Sequence, residues 1–335
     1  MMIRRLAPFF ILPLGLACVG GQANETITRG NNLSVDVAGD GRIVMDLGGD
    51  IWNVPAAGGD ATNLTRGRGT AQRPRWSPDG LRLAYTTSGG QEKGLWVLDL
   101  GDAQTRHISE SAYFDLHPTW HPDGQRLTYS SDRTGGGFDL WEVDLPTGLH
   151  WRLSNRPGDE TEPAWSADGK HLVYIHKADD RWSLVLRRLG EPEEVLASSN
   201  ERLAGPSWRP DGSLITYWHE GEDGIALNMV ILSEPRLVRR YMDGEDYVIS
   251  PVSWLDKHRM LYAAGGVIRQ RLFNAWSSRT VPFRATIETT PDVVVEKVRR
   301  TLPRIGEPQG KLVVHAARLF DGVGGSYLQN QDIVI

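Results

Sequence analysis

One phrase returns along this chain and decides what the chain can fold into: a proline, one further residue, a tryptophan, a Pro-Asp-Gly type of turn, and an apolar strand that ends on tyrosine. The clearest copies are Pro74-Arg75-Trp76-Ser77-Pro78-Asp79-Gly80 with Leu83-Ala84-Tyr85, and Pro118-Thr119-Trp120-His121-Pro122-Asp123-Gly124 with Leu127-Thr128-Tyr129. Two more are Pro163-Ala164-Trp165-Ser166-Ala167-Asp168-Gly169 with Leu172-Val173-Tyr174, and Pro206-Ser207-Trp208-Arg209-Pro210-Asp211-Gly212 with Ile215-Thr216-Tyr217. A worn copy keeps Trp254 and Leu261-Tyr262 but has Lys257-His258 in place of Asp-Gly. At the front, Val37 stands where the tryptophan would be, before Asp40-Gly41 and the strand Ile43-Val44-Met45.

The tryptophans at 76, 120, 165, 208 and 254 are spaced 44, 45, 43 and 46 residues apart, a period that accommodates four short strands and their turns. Within a copy the chemistry is local. Proline presets φ, aspartate bonds back to the turn, and glycine accepts φ > 0, so the first two strands fold back as a hairpin. The third strand follows, as in Leu95-Trp96-Val97-Leu98-Asp99, and a short edge strand ends the unit, as in Thr105-Arg106-His107-Ile108. A single four-stranded unit has two faces to cover, so six units must stack about an axis and close. The expected fold is therefore all-β, a six-bladed β-propeller, with each tryptophan burying on the order of 150–250 Å² between blades. Either the segment 26–35 or the segment 284–290 would latch the ring, and the sequence leaves that choice open.

These residues also carry a resemblance. Trp-Ser-Pro-Asp-Gly followed by an apolar strand, Ser130-Ser131-Asp132-Arg133 and Asp139-Leu140-Trp141 resemble the repeats of TolB-like propellers, over residues 33 to 290. The resemblance implies the fold. Function it leaves open, because such propellers occur both as periplasmic binding proteins and as modules preceding peptidases or hydrolases.

The flanks differ from the repeats. Arg4 and Arg5 precede an apolar run from Leu6 to Val19, and Gly21-Gln22-Ala23 offers small residues for cleavage, so residues 1–23 read as a secretion leader and the product as exported, periplasmic or extracellular. The run is interrupted by Pro8 and Pro13 and is too short for a membrane span, so no span is expected after cleavage. Cys18, the one cysteine, lies in this leader; lipidation there is the alternative, with Gly15-Leu16-Ala17 a poor approach to it. A formal charge of −5, from 37 basic and 42 acidic residues, supplies no cationic field for nucleic acid.

Residues 24–290 then form the propeller, 291–310 with Pro291, Pro303 and Pro308 a linker, and 311–335 a strand, a Gly324-Gly325 turn and a second strand ending at Ile335. An apolar strand is an odd final element, and the expectation is the opening hairpin of a truncated second domain. Its phrase Ala317-Arg318-Leu319-Phe320-Asp321-Gly322 resembles the opening of amidohydrolase-superfamily proteins, the imidazolonepropionase-like branch in particular, over some 25 residues. That resemblance implies a small β-sandwich beside a metal-dependent (β/α)₈ barrel, in which zinc or a similar divalent metal lowers the pKa of a bound water. The family's His-x-His does not occur among the nine histidines, so no catalytic, cofactor or metal residue is assigned here, and a metal is expected only in the missing C-terminal catalytic domain, this chain's first expected partner.

One set of positions stands out for binding. The residue before each repeat's proline, Arg73, His117, Glu162 and Gly205, falls where first strands meet a central channel, and mixed charge there suits a small polar ligand or a peptide end. His117 and His121 flank Trp120 in different environments and are expected to be solvated loop residues, not a metal pair. The expected function is an N-terminal, non-catalytic module of an exported amidohydrolase-like enzyme acting on C–N bonds. A periplasmic TolB-like protein-binding scaffold is the alternative; so is the propeller of a prolyl-oligopeptidase-like serine peptidase, whose Gly-x-Ser-x-Gly would lie beyond residue 335.

Overall fold

The Asp-Gly of each repeat makes the turn that its chemistry demands. At the second copy Ser77 N–H donates to Arg82 O (2.9 Å), Gly80 N–H to Ser77 O (2.8 Å), and the Asp79 carboxylate accepts from Leu81 N–H (3.0 Å). Gly80 has φ +68°, and its equivalents Gly41, Gly124, Gly169 and Gly212 lie between +69° and +89°. The hairpin that follows is thus fixed before any blade packs on another.

The computed structural model describes residues 24–67, 70–89, 93–109, 112–288, 313–319 and 328–334. The expected leader and linker lie outside the described residues, and no helix occurs among the described ones. A short strand, β1 (Asn24–Ile27), precedes the blades. Blade 1 is β2 (Val35–Val37), β3 (Ile43–Leu47), β4 (Asp50–Val54) and β5 (Gly59–Asn63). Blade 2 is β6 (Ala71–Trp76), β7 (Arg82–Thr87), β8 (Gly94–Asp99) and β9 (Thr105–His107); blade 3 is β10 (Asp115–Trp120), β11 (Arg126–Ser131), β12 (Asp139–Asp144) and β13 (Leu149–Arg152). Blade 4 is β14 (Asp159–Trp165), β15 (His171–Ala178), β16 (Arg181–Arg188) and β17 (Glu194–Ser199). Blade 5 is β18 (Arg202–Trp208), β19 (Leu214–Gly221), β20 (Gly224–Ile231) and β21 (Leu237–Met242); blade 6 is β22 (Ser253–Asp256), β23 (Arg259–Ala264), β24 (Val267–Leu272) and β25 (Ser278–Val281). All six are antiparallel meanders, and their first strands meet around the axis, β22 contacting β2 to shut the circle.

Both candidate latch segments are used, though neither enters a blade in place of one of its own strands. β26 (Phe283–Glu288) runs parallel to β5 on the outer edge of blade 1, and β1 pairs antiparallel with β26 outside it. Gly59 N–H donates to Pro282 O (2.8 Å), and a Cβ on Gly58 would stand 2.3 Å from that same oxygen, so the clasp needs glycine there.

Between blades the tryptophans pack as expected, with one refinement. Trp76, Trp120 and Trp208 are buried against the preceding blade, Trp76 on Ala38, Val44 and Ile51 for example, whereas Trp165 and Trp254 are half-buried. A side chain from the preceding blade covers several of the rings. The Arg42 guanidinium lies 4.6 Å from the Trp76 ring centroid and donates to Gly80 O (2.7 Å); Arg82 lies 4.9 Å from Trp120 and donates to Gly124 O (2.5 Å). His121 meets Trp165 edge-on at 4.8 Å.

The closing seam works differently, because blade 1 has Val37 where the indole would be. Leu33, Val35 and Met45 pack on Leu261, Ala263 and Ile268 of blade 6. Polar contacts supply the register: Ser253 Oγ donates to Asp36 Oδ1 (2.6 Å), Val37 N–H donates to Ser253 Oγ (2.9 Å), and Ser34 and Ser250 hydroxyls pair at 2.9 Å. Trp76 N–H of blade 2 donates to the other Asp36 oxygen (2.7 Å), so one carboxylate joins blades 6, 1 and 2.

The C-terminal described residues form a separate unit, a hairpin of β27 (Val313–Leu319) and β28 (Leu328–Val334) in antiparallel register from Val313 opposite Val334 to Leu319 opposite Leu328. Its two strands match the two expected there; the Gly324-Gly325 turn lies outside the described residues.

Candidate functional site

The proline of each clear repeat interrupts its ladder, and that interruption builds the site. In blade 2, Gln72 pairs with Thr86 and Arg75 with Ala84, so Arg73-Pro74 together oppose the single residue Tyr85. The same two-against-one bulge sets His117-Pro118 opposite Tyr129, Glu162-Pro163 opposite Tyr174, and Gly205-Pro206 opposite Tyr217. Proline has no N–H to lose from the ladder, which is why it is tolerated inside these innermost strands.

The residue before the proline takes a left-handed conformation in all four blades: φ is +54° at Arg73, +54° at His117, +55° at Glu162 and +59° at Gly205. A residue before proline ordinarily stays extended, and left-handed backbone costs an L-residue roughly 1–2 kcal/mol. Only Gly205 escapes that cost. The bulged N–H groups are held by side chains from the blade before: Arg73 N–H donates to Asp46 Oδ2 (2.8 Å), Glu162 N–H to Ser130 Oγ (3.3 Å), and Gly205 N–H to Glu162 Oε2 (2.5 Å). Burial raises the Asp46 carboxyl above its ordinary value, with the Arg73 and Ser34 N–H groups opposing.

The bulges bring three of the four sequence-predicted residues together. Arg73, His117 and Glu162, with Arg75, Pro163 and Pro251, line an axial constriction of about 20 Å³, room for about one water. Gly205 enters only through its N–H on Glu162. Glu162 is buried, and burial also pushes the His117 imidazole down to about 4, Glu162 opposing and Arg73 and Arg75 adding to the shift, so it is neutral at pH 7. Among the described residues His117 Nδ1 has no hydrogen-bond partner. The expectation of solvated loop histidines is corrected on both counts: His117 sits in the constriction, and the His121 side chain is 12% exposed beneath Asp123 and Arg126.

Arg75 is a site residue that the one-position-per-repeat reading passes over. It pairs beyond the bulge, and burial lowers its guanidinium from the ordinary value, Asp36 opposing and Arg73 adding. Its Nη1 donates to Pro74 O (3.2 Å), and among the described residues no carboxylate lies within 4.0 Å of either the Arg73 or the Arg75 guanidinium. The signal in the sequence is the residue after each proline, since a bulge centred on X-Pro turns both flanks of the proline inward. Above the constriction the channel widens into a funnel of about 320 Å³ whose wall includes Arg75, Pro206 and the edges of Trp76, Trp165, Trp208 and Trp254. Among the described residues the Nε1 groups of Trp76 and Trp254 lack partners.

Among the described residues no group of three or more His, Cys, Asp or Glu side chains is disposed to hold a metal ion, so none is assigned as a ligand. What the axis offers is a narrow passage lined by two guanidinium groups, an imidazole and a carboxylate.

Comparison with known proteins follows the same lines. The family model described as the TolB beta propeller domain, PD40, matches residues 51–255, more than half of the chain. Among solved structures, TolB from Acinetobacter baumannii superposes with a TM-score of 0.59 at 16% identity, covering 75% of this chain and 65% of that one. A TolB protein assigned as putative from Agrobacterium tumefaciens gives 0.60 at 18% identity over 76% of this chain and 91% of that one. The tricorn protease gives 0.63 at 15% identity, over 87% of this chain but 28% of that one. At these identities the likeness is one of fold. No curated protein matches.

Proposed function

Because the chain belongs to the PD40 family of TolB β-propeller domains, we propose that its ring is the non-catalytic, ligand-orienting module of a longer exported hydrolase, similar to the amidohydrolases and acting on C–N bonds. The observation that carries the binding role is the trio Arg73, His117 and Glu162. Three successive blades hold a polar side chain on the axis by a left-handed backbone that only glycine adopts without cost, and strain kept at one converging point is a mark of a working site. Export is supported by Arg4, Arg5 and the apolar run after them. The hydrolase partner is supported by Ala317-Arg318-Leu319-Phe320-Asp321-Gly322, whose first three residues end β27. The metal, zinc by the chemistry of that family, would be held by residues outside this chain and would supply an activated water there. The propeller's own part is to admit and orient the substrate.

The test begins with the coding sequence downstream of Ile335 and ends with the full-length product. The reading expects His-x-His downstream, amide or imide hydrolysis that a chelator abolishes, and a raised KM with kcat largely kept when Glu162 is replaced by Gln. A stop codon at that point, or a Gly-x-Ser-x-Gly in place of the histidines, would refute the hydrolase assignment. A protein-binding scaffold is the second reading, favoured by the adjacent exposed apolar residues Leu237 (51% exposed) and Val238 (49%) on the outer edge strand of blade 5.

A further inference from the structure

We propose that the axial constriction is a carboxylate hole, in which Arg73 and Arg75 clamp the carboxylate of a ligand whose body fills the funnel above, either a small organic acid or the C-terminus of a peptide.

The argument starts from an imbalance of hydrogen-bonding groups. Each guanidinium is a planar fork of N–H donors with no acceptor of its own. Among the described residues, the two arginine side chains make one hydrogen bond between them, Arg75 Nη1 to Pro74 O. The one carboxylate lining the constriction, Glu162, has an oxygen committed to Gly205 N–H. Among the described residues, neutral His117 leaves Nδ1 unpartnered beside them, a donor or an acceptor according to its tautomer, and two indole N–H donors of the funnel wall are unpartnered as well. In the constriction donors therefore outnumber free acceptors, and the carboxylate of the funnel wall, Asp36, already has both oxygens engaged by Ser253 Oγ and Trp76 N–H. The missing component is an acceptor-rich, negatively charged group.

Size and shape narrow the choice. The constriction admits about one water-sized group, the size of a single carboxylate oxygen, whose coplanar partner oxygen can take the parallel N–H···O bond at its mouth; the tetrahedral head of a phosphate is bulkier in every direction. The funnel, at about 320 Å³, takes the rest of a small acid or the last residues of a peptide, and its tryptophan and proline walls suit an apolar body. Geometry thus orders the ligand: charged end down the axis, body toward the mouth.

Stability gives a further argument. Arg75 is desolvated beside the like charge of Arg73, and Asp36, Asp46 and Glu162 oppose this only from beyond 4.0 Å, so a bound anion in direct contact supplies what the fold does not. A purely structural arginine would show the reverse, its removal costing stability. The inference deepens the ligand-orienting half of the reading above and does not depend on the hydrolase half.

Calorimetric titration of the full chain with four probes tests it: tri-alanine as the free acid, the same peptide C-terminally amidated, succinate, and inorganic phosphate. The free acid should bind at least about ten-fold more tightly than the amide, the worth of one charge-assisted contact. Arg73→Gln and Arg75→Gln should each lose about as much, while the melting temperature of Arg75→Gln stays level or rises. Succinate binding as tightly as the peptide acid identifies a small acid as the occupant; weaker succinate binding identifies a peptide terminus. Equal binding of acid and amide, no binding of any carboxylate, tighter binding of phosphate, or undiminished binding by both variants overturns the proposal. Hydrolysis by the parent enzyme is a separate readout, so failure here is distinguishable from failure of the accessory-module reading.

Discussion

Replacing Asp36 with alanine is expected to weaken the ring where it closes. Its carboxylate accepts from Ser253 Oγ of blade 6 at 2.6 Å and from Trp76 N–H of blade 2 at 2.7 Å, so a single side chain spans two blade boundaries. A hydrogen bond to a charged group contributes about 1.5–3 kcal/mol, and two on one carboxylate add less than fully, which puts the loss at about 3–4 kcal/mol. Part of that is the Trp76 N–H left without its acceptor; part is Arg75, which loses the first of the charges opposing the depression of its pKa. For a domain of this size the melting temperature should fall by about 8 °C. Asp36→Asn keeps an acceptor oxygen but not the charge, and should recover about half. Urea unfolding read by tryptophan fluorescence gives the magnitude, and amide hydrogen exchange gives the place: protection should drop first in β2 and β22. A loss within about 0.5 kcal/mol, the range of an ordinary surface change, or a loss of protection spread evenly over the blades, would refute the seam as described.

Three further outcomes follow from the same structure. Arg82→Ala removes both the contact with the Trp120 ring and the hydrogen bond to Gly124 O, and should cost about 2–3 kcal/mol in urea unfolding; additivity with Trp120→Leu in a double-mutant cycle would show that the two side chains do not interact. His117, held down to about 4 in the folded state against an ordinary 6.5, stays uncharged in the fold while the unfolded chain takes up protons, so its contribution is present above pH 6.5 and is lost as the pH falls toward 4. Wild type should therefore lose up to about 3 kcal/mol more than His117→Gln over that window, and an imidazole titrating near 6.5 by NMR would contradict this. Gly205→Ala should destabilise by about 2 kcal/mol, because a Cβ there would meet Trp218 Cδ1 at 2.8 Å on a backbone already at φ +59°; a melting temperature unchanged from wild type would count against the bulge geometry.

What the sequence makes legible here is what is decided locally. Asp79 and Gly80 form their turn with neighbours a few residues away, so the hairpins and their 44-residue rhythm appear in the sequence, and with them the blade count. Arg73, His117 and Glu162 could be placed on the axis because they hold one position in the repeat, and repetition turns a position into a radius. The rest depends on partners far apart in the chain. Asp36 acquires its role from Ser253, 217 residues away, and no local pattern marks it. Arg75 is hidden by the assumption of one axial position per strand, which the two-against-one bulge breaks. The clasp of β26 and β1 on blade 1 is undecided in sequence because either segment alone reads as an edge strand; the structure resolves it by pairing them with each other.

The account rests on six local meanders shutting into a ring that turns Arg73, Arg75, His117 and Glu162 onto one axis. A crystal structure of the chain, at a resolution that places side chains, tests this most directly. It should show six four-stranded blades, β22 against β2 without an exchanged strand, and left-handed backbone at Arg73, His117 and Glu162 with their side chains converging on the constriction. Five or seven blades, an open stack, or those three residues in extended backbone with their side chains turned away from the channel would contradict it.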